Sequence, residues 1–377
     1  MKQQPEIPVP DTISQKHRVK PDHIVHGGDI ESAHRQYGTP IDKWIDLSTG
    51  ISPLPYPDTK IATDVLTRLP YQRDSFRSAV RAYYGDYDFL ATNGSQQGIA
   101  ALPHCLKTLP IVLPDVGYQS HAAAWMQQGA ESIHYPSQHV DAATRVIEKL
   151  IASGRAFHLL VINPNNPTCC RFSPTTLQRW SRRLVDGAIL IVDEAFADLY
   201  PGQSVLAEGF AANMLVFRSF GKFFGLPGLR LGFVFAASSL LAAMRASIGV
   251  WDVNGAAQEI AIRAFRDRDW QTKTRQRLHH LAVENQKMWQ CLFDSLRRQG
   301  YPVSEAHQLL FSSYTLDENP AKRLFDVLAQ NAVLVRIIYL EPGRAIIRIG
   351  RIDTQRGQQV ARINRIIRQS IDTMQLS

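Results

Sequence analysis

Short apolar segments recur through the middle of the chain, each separated from the next by a pattern typical of a helix. Between Asp88 and Phe235 they lie at residues 89–92, 111–113, 159–162, 188–192, 215–217 and 232–235. Strand-sized apolar runs that alternate with helical patterns predict an α/β fold with a mainly parallel sheet flanked by helices. Because each run ends in polar residues, Gly or Pro, we expect the functional site in the loops at the carboxyl edge of the sheet.

The chain is long enough for two packed units, since 377 residues exceed what one average core accommodates. Beyond Asn254 the pattern changes to a long helical stretch that reaches about Arg298. Strand-like runs and a last helix follow, at 312–315, 333–338, 345–349 and 355–374. We therefore predict a smaller α+β domain after the α/β domain. The predicted divisions are a mobile N-terminal arm at 1–22, an N-terminal segment at 23–52, a large domain at 53–255 and a small domain at 256–377.

Composition and charge indicate which kinds of ligand and partner the chain is expected to bind. The formal net charge is +8, but Lys and Arg are scattered rather than massed in basic runs, which favours a small anionic substrate over nucleic acid. The four cysteines lack metal-site or disulfide spacing, so we expect no metal and reduced thiols in a cytoplasm. Met1–Pro10 has Pro and Glu where a signal peptide is apolar. The apolar stretch 231–244 falls short of the roughly 20 residues of a membrane helix, so no membrane partner is expected.

The turn at residues 92–97, Thr-Asn-Gly-Ser-Gln-Gln, follows the first apolar run and opens a helical pattern near Ser95. The first turn of a helix offers free N–H groups and the positive end of the helix dipole, which favour a bound phosphate. This turn is therefore a candidate phosphate-binding site. The alternative is a Gly-Ser turn that only caps a helix.

Polar side chains also follow two later runs. Residues 163–168, Asn-Pro-Asn-Asn-Pro-Thr, come directly after one run, and their prolines predict a rigid loop that carries Asn amides. A simple Asx-Pro turn is the alternative for this segment. Asp193 ends the run at 188–192, where a buried carboxylate is costly unless a cation pairs with it. The sequence therefore predicts a partner for Asp193.

Lys222 lies just past another run, in the apolar, glycine-rich segment 218–230. A lysine in such surroundings loses its charge easily and becomes a nucleophile toward carbonyl groups. The alternative is an ordinary surface lysine. The carboxylate of Asp193 upstream and Arg230 downstream favour the reactive interpretation.

From Gly94 to Asn254 the identity and order of these motifs resemble the fold-type I aspartate aminotransferase superfamily, in its class I/II branch. The resemblance implies a homodimer in which pyridoxal 5'-phosphate (PLP) forms a Schiff base with Lys222, and Asp193 pairs with the pyridine nitrogen. Near the C-terminus, Arg348 resembles the arginine whose planar fork binds the substrate carboxylate. The other implied cofactor contacts are Tyr118 on the ring, Asn166 at the ring oxygen, and Ser95, Gln96, Ser219 and Arg230 at the phosphate.

The chain departs from these aminotransferases at two positions. Phe196 stands where they usually have a tyrosine whose hydroxyl contacts the ring oxygen of the cofactor, so that donor is absent. Cys169 stands where Gly commonly follows Asn-Pro-Thr, and we expect a local adjustment of the backbone there.

The N-terminal sequence narrows the resemblance. Residues 25–29, 36–38 and 44–53 are similar to the threonine-phosphate decarboxylases of cobalamin biosynthesis. This similarity implies that the segment 23–52 contacts the substrate. The implied substrate-binding residues are His26, Gly27, Gly50, Asn166, Arg336 and Arg348. Structural roles without substrate contact are the alternative for His26 and Arg336.

The resemblance implies PLP-dependent decarboxylation of L-threonine O-3-phosphate to (R)-1-amino-2-propanol O-2-phosphate. A PLP-dependent aminotransferase, such as one that acts on histidinol phosphate, is the nearest alternative, because the motifs from Gly94 to Arg230 serve both reactions. The N-terminal motif and Phe196 favour the decarboxylase. A regulatory protein with the same fold is a third possibility, which the joint presence of Lys222, Asp193 and Asn166 disfavours.

Overall fold

The computed structural model describes residues 26–251 and 253–375. The predicted arm at 1–22, the first residues of the predicted 23–52 segment and Asp252 lie outside the described residues. The α-helices are α1 Ile30–Tyr37, α2 Thr63–Thr67, α3 Asp74–Tyr84, α4 Gly94–Ala101, α5 Gln119–Gln127, α6 Val140–Ala152, α7 Pro174–Arg183, α8 Val205–Glu208, α9 Phe220–Phe223, α10 Ser238–Ile248, α11 Gly255–Arg266, α12 Arg268–Arg298, α13 Glu318–Gln330 and α14 Gly357–Gln375. The strands are β1 Ile45–Asp46, β2 Phe89–Asn93, β3 Ile111–Pro114, β4 Ser132–Tyr135, β5 His158–Ile162, β6 Leu190–Asp193, β7 Met214–Ser219, β8 Leu231–Phe235, β9 Ser304–His307, β10 Phe311–Asp317, β11 Val333–Leu334, β12 Arg336–Leu340 and β13 Arg344–Gly350.

The larger sheet has seven strands in the order β2-β8-β7-β6-β5-β3-β4. Of these strands β8 runs antiparallel to both of its neighbours, and the remaining pairs are parallel, which confirms the predicted mainly parallel α/β sheet. Each predicted apolar run forms one strand. The edge strand β4 was not predicted, because residues 132–135 mix polar and apolar side chains and are only partly buried.

Burial on both faces explains why these strands read as continuous apolar runs. Leu159 and Val161 of β5 face one hydrophobic core, whereas Leu160 between them faces another. Strands β5 and β6 are buried along their whole length. Helices cover the two faces, so their connections bring the strand ends together at one edge.

A second sheet has four antiparallel strands in the order β12-β13-β10-β9. A short parallel pair, β1 with β11, joins the N-terminal segment to this part of the chain through Ile45 opposite Val333. The predicted strand at 333–338 is therefore two strands, because β11 pairs with β1 and β12 pairs with β13.

The long helical pattern after Asn254 forms two helices rather than one. Asp267 separates them, and its side chain accepts a hydrogen bond from Trp270 N at 2.9 Å to cap α12. Helix α11 and the first part of α12 pack on the core of the larger sheet. From Trp289 onward, α12 packs in a second hydrophobic core, which belongs to the smaller part of the fold. The division at residues 255 and 256 stays a prediction. No helix of the described part is both long and apolar enough to cross a membrane.

A cluster of buried charges joins the ends of β6 and β7. Arg218 Nη1 donates to Glu194 Oε2 at 2.8 Å, and Arg218 Nη2 donates to Asp198. The side chains of Arg218, Glu194 and Asp198 are 3%, 0% and 2% exposed. The guanidinium lies 4.8 Å from the ring centroid of Tyr84. Removal of one member leaves the others charged and buried without compensation.

We predict that Arg218→Met lowers the free energy of unfolding by roughly 3–5 kcal/mol, because two buried carboxylates lose their cation. Arg155→Met is the matched control, since Arg155 pairs with Glu131 at 2.7 Å on the surface. The control should lower the free energy of unfolding by at most about 1 kcal/mol. Urea denaturation followed by circular dichroism measures both effects, and equal effects of the two substitutions would contradict the prediction.

Candidate active site

A cavity lies at the carboxyl edge of the larger sheet and is also bounded by β12, β13 and the N-terminal segment. Most of the predicted site residues meet there, although they are far apart in the sequence. Its lining residues are His26, Gly27, Thr49, Gly50, Ile51, Gly117, Tyr118, Gln119, Asn166, Pro167, Lys222, Pro227, Arg230, Arg336, Ile338 and Arg348. The predicted residues Ser95, Gln96, Asp193 and Ser219 are outside this lining set and are described below.

Lys222 lies on the short helix α9, directly after β7, and its side chain is half-buried in the cavity. Burial lowers the pKa of Lys222 from its ordinary value to about 8, and the positive charges of Arg348 and Arg230 act in the same direction. Asp193 opposes this shift. The ammonium nitrogen lies 5.7 Å from the ring centroid of Phe196. A lysine with this pKa is half neutral at about pH 8, so a far larger share of it is a nucleophilic amine near neutral pH than of an ordinary lysine.

Asp193 lies at the end of β6, and in the structure its side chain contacts His121. Asp193 Oδ2 accepts from His121 Nε2 at 2.8 Å, and Oδ1 accepts from Ala195 N at 3.0 Å. Both side chains are almost completely buried. The sequence reasoning did not identify His121. Its signal is the position three residues after Tyr118 at the start of α5, which brings both rings to one side of the helix.

Close packing shapes the region around the first turn of α4. A Cβ atom at Gly232 would lie 2.3 Å from Ser95 N, and one at Gly94 would lie 2.4 Å from Arg230 Nη2. Ser219 is the register partner of Gly232, so Ser219 and Ser95 both lie beside that glycine. The structure therefore brings Ser95, Ser219 and Arg230 to one place at a helix N-terminus, which is a favourable environment for an anion.

Tyr118 forms one wall of the cavity. Its hydroxyl donates to Gln96 Oε1 at 2.9 Å, so the side chain of Gln96 supports Tyr118. The ring centroid of His26 lies 5.5 Å from that of Tyr118. Burial lowers the pKa of His26, and the charges of Arg336 and Lys222 lower it further.

The asparagine side chains in the loop after β5 make different contacts. Asn163 exchanges two hydrogen bonds with the backbone of Phe172, at 3.0 and 2.8 Å, and Asn165 Nδ2 donates to Val116 O at 2.8 Å. These two side chains hold the loop together, whereas Asn166 faces the cavity. Cys169 has φ 64°, so it adopts the left-handed backbone conformation that favours glycine, at the position where Gly is common.

Arg336 and Arg348 lie directly opposite each other on the antiparallel strands β12 and β13. Arg348 Nη1 donates to Asn166 Oδ1 at 2.5 Å, and Arg348 Nη2 donates to Ser48 O. Burial and the neighbouring charge of Arg336 lower the pKa of Arg348 to about 10. Like charges that face each other across a strand pair are unfavourable, so an anion between them would be stabilised.

Phe196 and Gly50 form a tight apolar contact beside Lys222. The rings of Phe196 and Phe311 are 5.5 Å apart, and a Cβ at Gly50 would lie 3.1 Å from both. A side chain at position 50 would therefore push against two buried rings. Phe196 offers no hydroxyl to the cavity, as the sequence implies.

The residues present fit PLP. The amine of Lys222 is available to hold its aldehyde, the carboxylate of Asp193 could pair with the pyridine nitrogen, and Asn166 could contact the ring oxygen. The cradle beside Gly94 and Gly232 could take the phosphate. Within the described residues no group of three His, Cys, Asp or Glu side chains is arranged to hold a metal ion.

We predict that Lys222 in the cofactor-free protein is half-protonated near pH 8, as its pKa of about 8 requires. Arg348→Met should raise this pKa, because it removes a neighbouring positive charge. Arg344→Met makes the same change four residues earlier on β13, outside the cavity, and should leave the pKa unchanged. Labelling of Lys222 by an amine-directed reagent across pH 6–11, quantified by mass spectrometry, gives the three values. A lower or unchanged pKa in Arg348→Met would contradict the electrostatic argument.

Comparisons with known proteins agree with this architecture. The family described as Aminotransferase class I and II matches residues 46–355 of the chain. Threonine-phosphate decarboxylase from Pseudomonas aeruginosa is 38% identical over 314 residues, which cover 83% of this chain and 89% of that protein. Histidinol-phosphate aminotransferase from Symbiobacterium thermophilum is 28% identical over 228 residues, which cover 60% of this chain and 60% of that protein.

A solved structure shares the fold. Histidinol-phosphate aminotransferase from Sinorhizobium meliloti, in complex with pyridoxal-5'-phosphate, gives a TM-score of 0.74 at 14% identity and covers 96% of this chain and 99% of that chain. The family match spans most of the chain and includes the strands and loops that form the cavity. The chain therefore belongs to the aminotransferase class I and II family, whose cofactor is PLP.

Proposed function

We propose that this protein decarboxylates L-threonine O-3-phosphate to (R)-1-amino-2-propanol O-2-phosphate in cobalamin biosynthesis. The observation that carries the proposal is the facing pair Arg336 and Arg348 in the same cavity as Lys222. A substrate with a phosphate at one end and a carboxylate at the other requires at least two cationic groups, and the pair supplies them beside the reactive amine.

The two arginines differ in their surroundings, which suggests how they divide the substrate between them. Arg348 is tied to Asn166 and to the backbone of Ser48, so its position is determined before substrate binds. We assign the carboxylate to Arg348. Arg336 lies near His26, whose pKa its charge lowers. We assign the phosphate to Arg336 and His26.

When bound, PLP supplies an aldehyde that condenses with amines and a ring that accepts the electron pair released as a bond at Cα breaks. Lys222 would hold the aldehyde and, after the substrate displaces it, donate a proton at Cα. Asp193, oriented by His121, would keep a proton on the pyridine nitrogen. Ser95, Gln96, Ser219 and Arg230 would serve the phosphate end of the cofactor, with Tyr118 against its ring. Gly27 and Gly50 line the cavity and would contact the substrate there.

The comparisons support the decarboxylase more than the aminotransferase. The relative named threonine-phosphate decarboxylase shares more identity over a longer stretch than the relative named histidinol-phosphate aminotransferase. The N-terminal segment, where the sequence resembles the decarboxylases, contributes His26, Gly27 and Gly50 to the cavity. Aminotransfer remains the second candidate, because the same lysine and aspartate serve both reactions.

We also propose that the protein acts as a homodimer in the cytoplasm. Large apolar side chains are exposed on one part of the surface, where the ring centroids of Tyr71 and Trp251 are 6.0 Å apart. The exposed fractions are 67% for Leu66, 61% for Leu69, 69% for Tyr71, 73% for Val250 and 46% for Trp251. A group of exposed apolar side chains is typical of a protein–protein interface, and a second copy of the chain is the partner that the family favours.

The reaction type has a direct test. We expect the PLP-loaded enzyme to release carbon dioxide and an amine in equal amounts from threonine phosphate, without any keto acid. Lys222→Ala should abolish the release, because no other lysine lines the cavity within the described residues. Turnover that requires 2-oxoglutarate and yields glutamate would establish the aminotransferase instead.

Arg336→Gln should reduce kcat/KM for threonine phosphate by roughly 10- to 100-fold, because a charge-assisted hydrogen bond to phosphate is worth about 1.5–3 kcal/mol. The same substitution should have little effect on the slow reaction of unphosphorylated threonine. Arg344→Gln is the matched control, since Arg344 lies on the neighbouring strand, pairs with Asp317 and does not line the cavity. An equal loss with both substrates would show that Arg336 does not select the phosphate.

A further inference from the structure

Ser48 connects two parts of the candidate site. It is 2% exposed and lies between Arg348 and the turn formed by His26, Gly27 and Gly28. Its backbone carbonyl accepts a hydrogen bond from Arg348 Nη2. Its side-chain hydroxyl accepts one from Gly28 N at 2.7 Å. The carboxylate-binding arginine and the N-terminal turn are thus attached to the same residue through different atoms.

Asp46 determines the orientation of the Ser48 hydroxyl. Ser48 Oγ donates to Asp46 Oδ1 at 2.5 Å, and Ser48 N donates to the same oxygen at 2.8 Å. Since the hydroxyl proton is directed to the carboxylate, the lone pairs of the oxygen remain for the Gly28 N–H. Asp46 itself belongs to β1, which is paired with β11. The acceptor for the turn is therefore attached to the second, smaller part of the fold.

The turn packs against Ser48 so closely that only glycine fits. A Cβ atom at Gly27 would lie 2.2 Å from Ser48 O, and Gly28 has φ +92°. This packing places His26 at the cavity, with its ring 5.5 Å from that of Tyr118. Beyond the turn, Tyr37 OH donates to Asp326 Oδ1 at 3.1 Å, which holds the far end of α1. Among the polar contacts described for this segment, the Gly28–Ser48 hydrogen bond is the one nearest to His26 in the sequence.

We propose that Ser48 is a positioning residue for substrate selection: its hydroxyl holds the turn at 26–28 over the cavity and so determines the preference for a phosphorylated amino acid. The inference rests on the proposed function. The Ser48 side chain is expected to affect only the binding of the substrate phosphate. Ser48 contacts the carboxylate-binding Arg348 through its backbone carbonyl, which Ser48→Ala retains. Ser48→Ala therefore separates the two contacts.

Kinetics of the PLP-loaded enzyme test the proposal. Ser48→Ala should raise KM for threonine phosphate roughly 5- to 30-fold, as expected for one lost hydrogen bond at a buried site, while kcat changes less than about two-fold. The kcat/KM for unphosphorylated threonine should stay within about two-fold of wild type. In a His26→Ala background, Ser48→Ala should have no further effect on KM, because both changes remove the same phosphate contact.

Ser52→Ala is the matched control. Ser52 is also buried on this segment, and among the described residues its hydroxyl hydrogen-bonds only with the backbone of Leu54, at 3.2 Å. We expect wild-type kinetics from it. Hydrogen exchange of the peptide that covers residues 26–32 provides a readout besides activity. Exchange should be faster in Ser48→Ala and unchanged in Ser52→Ala, because only the former loses the acceptor for Gly28 N.

Ser48→Cys provides a second variant if Ser48→Ala does not fold, because the thiol fills the place of the hydroxyl but is a weak hydrogen-bond acceptor for Gly28 N. It leaves the backbone carbonyl of Ser48 in place for Arg348, and it should also raise KM for threonine phosphate with little change for threonine. Equal losses for the two substrates, or additive effects with His26→Ala, would overturn the proposal. Wild-type enzyme that fails to release carbon dioxide from threonine phosphate would instead refute the proposed function, and the hydrogen-exchange result would still decide the role of Ser48 in holding the turn.

Discussion

The buried ion cluster of Arg218 with Glu194 and Asp198 is the interaction on which the geometry of the site depends. Glu194 directly follows Asp193, and Arg218 directly precedes Ser219, so the cluster joins the two chain segments that carry the chemistry. Burial of these charges is costly unless every partner is in place. The carboxyl ends of β6 and β7 consequently have one stable arrangement. Lys222 lies only three residues beyond the end of β7, so this arrangement also positions Lys222.

Above this cluster the cavity concentrates positive charge. Lys222, Arg230, Arg336 and Arg348 line it, and His26 lies among them. Their mutual repulsion and burial have two consequences. The lowered pKa of Lys222 leaves more of its amine neutral near neutral pH than is usual for a lysine, and a bound anion would relieve the repulsion between Arg336 and Arg348. Asp193 is held by His121 Nε2 and Ala195 N, and these two contacts fix the orientation of its carboxylate.

The N-terminal segment is held at the cavity by backbone hydrogen bonds rather than by buried charges. Residues 45 and 46 form a strand with β11, and Gly350 N donates to Leu47 O at 2.7 Å. Backbone hydrogen bonds of this kind do not depend on side-chain identity and attach the segment to the smaller part of the fold, while its glycines permit the close approach that places His26. The cavity wall formed by His26, Gly50, Arg336 and Arg348 therefore comes from residues near both ends of the chain.

The amino-acid sequence by itself determined the mainly parallel sheet and the polar loops at its carboxyl edge, and it predicted a reactive Lys222 and a partner for Asp193, because apolar periodicity and local residue chemistry act over short distances. It did not predict the edge strand β4, the break at Asp267 or the separation of β11 from β12, since burial and pairing decide these features. Only the tertiary structure identified His121 as that partner, assigned Asn163 and Asn165 to the loop and Asn166 to the cavity, and brought Arg336 opposite Arg348. These contacts join residues that are distant in the chain, and their energies depend on distance and burial, which a linear pattern does not contain.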